Sequence, residues 1–143
     1  MTPTSVVIDA SATIAWAFNE RDRQAQLDGL LVGRVLTAPA IWRLEVVNIA
    51  LVKERRRTIT PVESERVLEL VEGLGIEVVE DAAEVSLREL AAAARPLQLS
   101  AYDSAYLQLA VARQMPLLTM DHNLQNAARR LGVGLVLDRH RAS

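Results

Sequence analysis

Four carboxylates occupy positions where a folded domain has little structural use for them. Asp9 closes the apolar run Ser5-Val-Val-Ile8, and Glu45 interrupts Ile41-Trp-Arg-Leu-Glu-Val-Val-Asn-Ile-Ala50. Asp103 lies in Leu99-Ser-Ala-Tyr-Asp-Ser-Ala-Tyr106, and Asp121 ends Pro116-Leu-Leu-Thr-Met-Asp121. Burying one unpaired carboxylate costs several kcal/mol, so a chain that drives four of them toward apolar surroundings needs something positive for them to surround. A divalent metal ion is the simplest candidate. Carboxylate oxygens without a cysteine in the chain favour a hard cation, Mg²⁺ or Mn²⁺, over zinc.

Each acid also has a plainer reading. Asp9 and Asp121 precede helix-forming segments and could cap them, and Asp103 is three residues after Ser100, the spacing of a capping box. Capping does not account for Glu45. Its helix is apolar nearly all the way round, which predicts burial on most faces, and Asn48 shares the Glu45 face. Ser11 stands two residues after Asp9 and Thr119 two before Asp121, so each hydroxyl could bond a carboxylate or merely a local turn. The run Lys53-Glu-Arg-Arg-Arg57 places cations at a helix C-terminus, where the dipole favours them. Arg55, Arg56 and Arg57 are also candidates for contacting a nucleic-acid backbone, together with Arg129-Arg130 and Arg139-His-Arg141. His122 reads as a surface residue at a helix start, and Tyr102 and Tyr106 as packing residues.

The elements that must bring these residues together follow from composition and pattern. A chain of 143 residues, half of them hydrophobic and 24% charged, suits a single globular domain over 1–143. Only 3% are aromatic, which leaves the core to Leu, Val, Ile and Ala and argues against RNA-binding modules that stack bases on aromatic platforms. A net charge of −2 argues against attraction of nucleic acid by the molecule as a whole, though not by a local basic patch. The absence of cysteine, of a membrane-length apolar stretch and of a signal-like N-terminus leads us to expect a cytoplasmic protein with no membrane association.

The β-branched run Val6–Ile8 and the short aliphatic stretches Val35–Leu36, Ile76–Val79, Leu117–Thr119 and Leu135–Leu137 predict strands. Between them, helices are expected over Ala10–Phe18, Asp22–Val32, Ala40 to about Arg57, Ala82–Ala94, Ser100–Gln114 and Asp121–Leu131. A further helix should open at the capping box Thr60-Pro-Val-Glu63 and stop near Gly73 or Gly75. Strands separated by helices imply a mostly parallel sheet, in which ligands bind beyond the carboxyl ends of the strands. Asp9 and Asp121, each following a strand, would share that edge.

Four segments together resemble a known family. Val7-Ile-Asp-Ala-Ser11, Pro39-Ala-Ile-Trp-Arg-Leu-Glu-Val-Val-Asn48, Leu99-Ser-Ala-Tyr-Asp-Ser-Ala-Tyr-Leu-Gln-Leu-Ala110 and Pro116-Leu-Leu-Thr-Met-Asp-His-Asn-Leu124 make the chain similar to PIN-domain ribonucleases, and within them to VapC-type toxins of toxin–antitoxin pairs. The resemblance implies a three-layer α/β/α sandwich around a short, mostly parallel sheet. It implies that Asp9, Glu45, Asp103 and Asp121 are an acidic quartet binding one or two Mg²⁺ or Mn²⁺ ions, with Ser11, Asn48 and Thr119 in supporting positions. It also implies metal-dependent endonucleolytic hydrolysis of RNA by activated water, homodimerisation, and neutralisation by a small cognate VapB-type antitoxin whose C-terminal segment covers the site. Two alternatives stand beside it. One is the same fold used as a non-cleaving scaffold for RNA or protein. The other is a phosphotransfer enzyme with an aspartate at a strand end, disfavoured because Ser11 stands where a dehalogenase-like phosphatase needs a second aspartate and because Lys53 is the only lysine.

Overall fold

In the computed structural model, which describes residues 4–18, 28–29, 31–80 and 84–136, four short aliphatic runs pair into one parallel sheet. They are β1 (Thr4–Ile8), β2 (Arg34–Pro39), β3 (Glu77–Val79) and β4 (Leu117–Leu118). Their order across the sheet is β3-β2-β1-β4, and every pairing is parallel. The strands read as unbroken apolar runs because both faces are covered. Val7, Ala38, Val79 and Leu117 face a core shared with Trp42, Val46 and Tyr106, while Val6, Ile8, Leu36 and Leu118 face a second one with Ala12. Leu135 makes a single parallel bridge to Leu117 where a fifth strand was expected, and Leu137 lies outside the described residues.

Among the described residues, α1 (Ala10–Ala17), α2 (Ile41–Arg55), α3 (Pro61–Glu72), α4 (Leu87–Ala94), α5 (Ala101–Arg113) and α6 (His122–Arg130) flank the sheet. The capping box that opens α3 forms as its sequence dictates: Thr60 Oγ1 accepts the Glu63 N–H at 3.1 Å, and Glu63 Oε1 accepts the Thr60 N–H at 3.4 Å. Most of the helix expected over Asp22–Val32 lies outside the described residues, as does the basic tail Arg139-His-Arg141. Among the described residues no helix is long and apolar enough to cross a membrane.

Two expectations are corrected. The helix predicted from Ala82 begins at Leu87, because Ser86 Oγ accepts the Glu89 N–H at 3.1 Å and caps it there. Alanine-rich composition extended the prediction past a Ser-x-x-Glu start signal. The second correction concerns α2. Its buried residues are Trp42, Val46 and Ala50, one stripe at intervals of four. Leu44 is 64% exposed, and Val47 and Leu51 are exposed beside it. A helix laid on a sheet buries one stripe, and nothing among the described residues covers the opposite face of α2.

Topology fixes where chemistry can occur. From β1 the chain moves to β2 and β3 on one side and then to β4 on the other, so the direction reverses between β1 and β4. The crevice beyond the carboxyl ends of those two strands is the usual ligand position in such sheets. Asp9 follows β1 and Asp121 follows β4.

Candidate active site

Asp9 is the most constrained of the four acids, at 5% exposure. It caps α1 through Oδ1, which accepts the Ala12 N–H at 2.9 Å. Ser11 Oγ lies 2.8 and 2.9 Å from its two oxygens, and the Thr119 hydroxyl donates to Oδ2 across the β1–β4 boundary. Those hydroxyls are themselves fixed by backbone donors, Ser11 by the Met120 N–H and Thr119 by the Asp121 N–H, each at 3.0 Å. Ser11 and Thr119 thus both converge on Asp9.

Glu45 is brought to the same edge by a buried chain of hydrogen bonds. Trp42 Nε1 donates to Thr13 Oγ1 at 2.9 Å, and that hydroxyl donates to the Asp9 carbonyl at 2.7 Å. One turn of α2 separates Trp42 from Glu45, so this chain sets the height of α2 against the end of β1. Glu45 Oε1 accepts the Tyr106 hydroxyl at 2.5 Å. Tyr106 is 1% exposed and lies one turn after Asp103 on α5, so a residue read from the sequence as packing alone has a polar end on an acid. Its phenol is pushed up from its usual range, chiefly by burial and then by the bond to Glu45. Tyr102, by contrast, is 59% exposed and does not pack as expected.

Asp103 follows the Ser100 cap of α5, and Asp121 caps α6 by accepting the Asn123 and Leu124 N–H groups on Oδ1. Capping and site formation are therefore not alternatives. For Asp121 capping occupies one carboxylate oxygen, and no described residue donates to Asp121 Oδ2 or Glu45 Oε2.

The acids feel one another's charge. Burial raises Asp9 to about 6, opposed by its hydrogen bonds from Thr119, Ala12 and Ser11 and reinforced by Asp121. Burial raises Glu45, with the Asp103 charge adding to it, and burial also raises Asp103, with Asp121 adding. Asp9, Asp121, Asp103 and Glu45 thus form a continuous chain of like-charge interactions, and among the described residues no lysine or arginine pairs with any of them. They do not form a closed cage. Among the described residues no three acidic or histidine side chains converge tightly enough to hold a metal ion as they stand. Two carboxylates about 4 Å apart repel by roughly 4 kcal/mol at an effective dielectric of 20, so convergence on one point requires a cation. The donor set fits such an ion: hard oxygens, free positions on Glu45 and Asp121, and uncompensated negative charge.

The other candidates lie farther out. Asn48 is exposed and makes no side-chain hydrogen bond among the described residues. Arg55, Arg56 and Arg57 are exposed at the far end of α2, about 15 Å along the helix from Glu45. His122 is exposed at the start of α6.

The raised carboxyls predict an unusual pH response. A carboxyl whose folded pKa exceeds its unfolded value binds its proton more tightly in the fold, so ionisation costs stability. For Asp9 the cost is at most about 3 kcal/mol, fully present above pH 6 and relieved as pH falls toward 4. Glu45 and Asp103 act in the same direction. In EDTA, thermal melts should shift upward as pH is lowered from 7 to about 5. A steady fall in Tm over that interval would contradict the burial of these acids.

The arrangement defines a parallel α/β domain with carboxylates gathered at the switch point of its sheet. A family model described as PIN domain matches residues 6–130, and the chain belongs to that family. Membership points to nuclease-type chemistry and to nucleic acid as partner. The crystal structure of PAE2754 from Pyrobaculum aerophilum shares the fold, with a TM-score of 0.71 and 24% identity over 99% of this chain and 92% of that one. No curated protein matches the sequence.

Proposed function

We propose that this chain is a Mg²⁺- or Mn²⁺-dependent endoribonuclease of the VapC toxin type. The observation that supports the reading is the placement of Asp9 and Asp121 after β1 and β4 at the switch point of a PIN domain, with Glu45 and Asp103 near enough to add to the same negative charge. Asp9, Glu45, Asp103 and Asp121 would hold one or two ions, with Ser11 and Thr119 orienting Asp9 and with Asn48 at the margin. When bound, the metal would supply positive charge to the phosphodiester and its attacking water. Asp9 needs no reorientation for this task, because Ser11, Ala12 and Thr119 already fix both of its oxygens. Attack of water on phosphorus with departure of the 3′-oxygen, which takes up a proton, would leave 5′-phosphate and 3′-hydroxyl ends with no covalent enzyme intermediate. The exposed Arg55, Arg56 and Arg57 would contact the RNA backbone away from the scissile bond.

The partner reading also has support. Leu44, Val47 and Leu51 share an exposed apolar face of α2, and Val62 and Leu70 are exposed on α3. An apolar groove of about 720 Å³, lined by residues that include Ile41, Val79, Leu90, Ala105 and Leu109, runs beside α4 and α5. Such surfaces suit a second copy of the chain and the apolar segment of a VapB-type antitoxin. A non-cleaving RNA- or protein-binding module is the second reading, favoured by the lack of three converged ligands among the described residues. Sequencing of RNA ends after brief expression tests the two: new discrete ends with the active chain and none with Asp9→Asn support the nuclease, and identical end profiles support the binding module.

A further inference from the structure

The Tyr106 hydroxyl occupies a junction that no candidate acid occupies. Its ring comes from α5, one turn after Asp103, and is almost wholly buried in the core beside Val7, Ala10 and Val46. Its oxygen lies 2.5 Å from Glu45 Oε1 on α2. One phenol therefore ties α5, which carries Asp103, to Glu45 on α2. Glu45 has three side-chain torsions and no other side-chain hydrogen bond among the described residues. Without the phenol, no described side chain selects one of its rotamers. With it, Oε1 is held and Oε2 is left free.

We propose that Tyr106 is a positioning residue for the metal centre, holding Glu45 by one carboxylate oxygen so that the other is presented beside Asp9 and Asp103. The inference rests on the metal-centre reading given above and adds to it a residue outside the acidic quartet. Hydrogen bonds that orient a metal-ligating carboxylate are worth about 10- to 100-fold in metal affinity.

The test is calorimetric titration of Mn²⁺ into the full chain and into Y106F, E45Q and the double variant, with melts in EDTA as the folding control. Y106F should weaken Mn²⁺ binding about 10-fold or more while melting as a folded protein, and should add little to the loss already present in E45Q. A purely structural role predicts the same loss in both backgrounds. Equal affinity of Y106F and wild type, or additive losses in the double variant, overturns the proposal while leaving the metal centre standing. No Mn²⁺ binding by wild type overturns both. Should Y106F fail to fold, fluorine NMR of protein grown on 3-fluorotyrosine reads the same contact, since the chain has only Tyr102 and Tyr106. The Tyr106 resonance should move on addition of Mg²⁺ and in E45Q, and a resonance indifferent to both overturns the proposal.

Discussion

Replacing Asp9 by asparagine should abolish RNA cleavage while leaving the metal-free protein at least as stable as wild type. The two effects have opposite physical origins. Asparagine keeps an oxygen for the Ala12 N–H, so the cap of α1 survives, and Asn is as good a cap as Asp. It also removes a buried charge whose ionisation the fold disfavours. Stability in EDTA at pH 7 should therefore hold or rise. Activity depends on the same charge in the opposite sense, because a neutral amide is a poor ligand for a hard cation. A loss of several kcal/mol of charge stabilisation corresponds to at least about 100-fold in rate. Asp103→Asn should behave alike in activity. Steady-state cleavage and thermal melts, run on the same preparations, separate this outcome from simple unfolding. Retained cleavage by Asp9→Asn would remove Asp9 from the mechanism.

Adding Mn²⁺ to wild type should raise the melting temperature substantially. A ligand at about 100 times its dissociation constant stabilises the fold by roughly 2.7 kcal/mol, on the order of 10 °C for a domain of this size. The gain should be larger at pH 7 than at pH 5, because the raised carboxyls compete for protons as pH falls. Chelation with EDTA should reverse it, and Asp9→Asn and Asp121→Asn should each diminish it. A melting temperature indifferent to millimolar Mn²⁺ would favour the binding-module reading, in which Asp9 and Asp121 serve as helix caps.

Much of the scaffold is legible in the sequence, for reasons that can be named residue by residue. Val6-Val-Ile8 has no alternation because both faces of β1 are buried, and that pattern marks a parallel strand without reference to any partner. Thr60, Pro61 and Glu63 encode the start of α3 locally. Asp9 and Asp121 at strand ends follow from the alternation of strands and helices, and parallel topology then sends both to one edge. The outer face of α2 was not legible. Periodicity reports which residues are apolar, and Leu44, Val47 and Leu51 are apolar without being covered by the described part of this chain. Apolarity of that kind records a surface for a partner as readily as a core.

The acid cluster itself was half visible. Sequence separation forbids any local signal for the contact of Thr119 with Asp9, or of Tyr106 with Glu45, which depend on tertiary packing. Ser11 and Thr119 could be named as candidates from their spacing to Asp9 and Asp121, but that spacing served a local turn equally well, and only the packing of β4 against β1 shows both hydroxyls on Asp9. Tyr106 could not, since a tyrosine on the apolar side of a helix looks like core until its hydroxyl is seen to end on an acid. The cue was present: Tyr106 is three residues from Asp103, on the same helical face as an acid already singled out.

The degree of convergence is also a tertiary property. Sequence reasoning gathers the four acids into one pocket, whereas the structure gathers them into one electrostatic neighbourhood whose members stop short of a shared ligand shell.

Whether these acids run metal-dependent hydrolysis is decided by incubating the purified protein with single-stranded RNA, with Mn²⁺ or with EDTA, and chemically typing the product ends. Cleavage should occur only with the metal, be lost in Asp9→Asn, and give products bearing 5′-phosphate and 3′-hydroxyl groups. Cleavage that survives EDTA, or products ending in 2′,3′-cyclic phosphate, would contradict the metal-dependent reading.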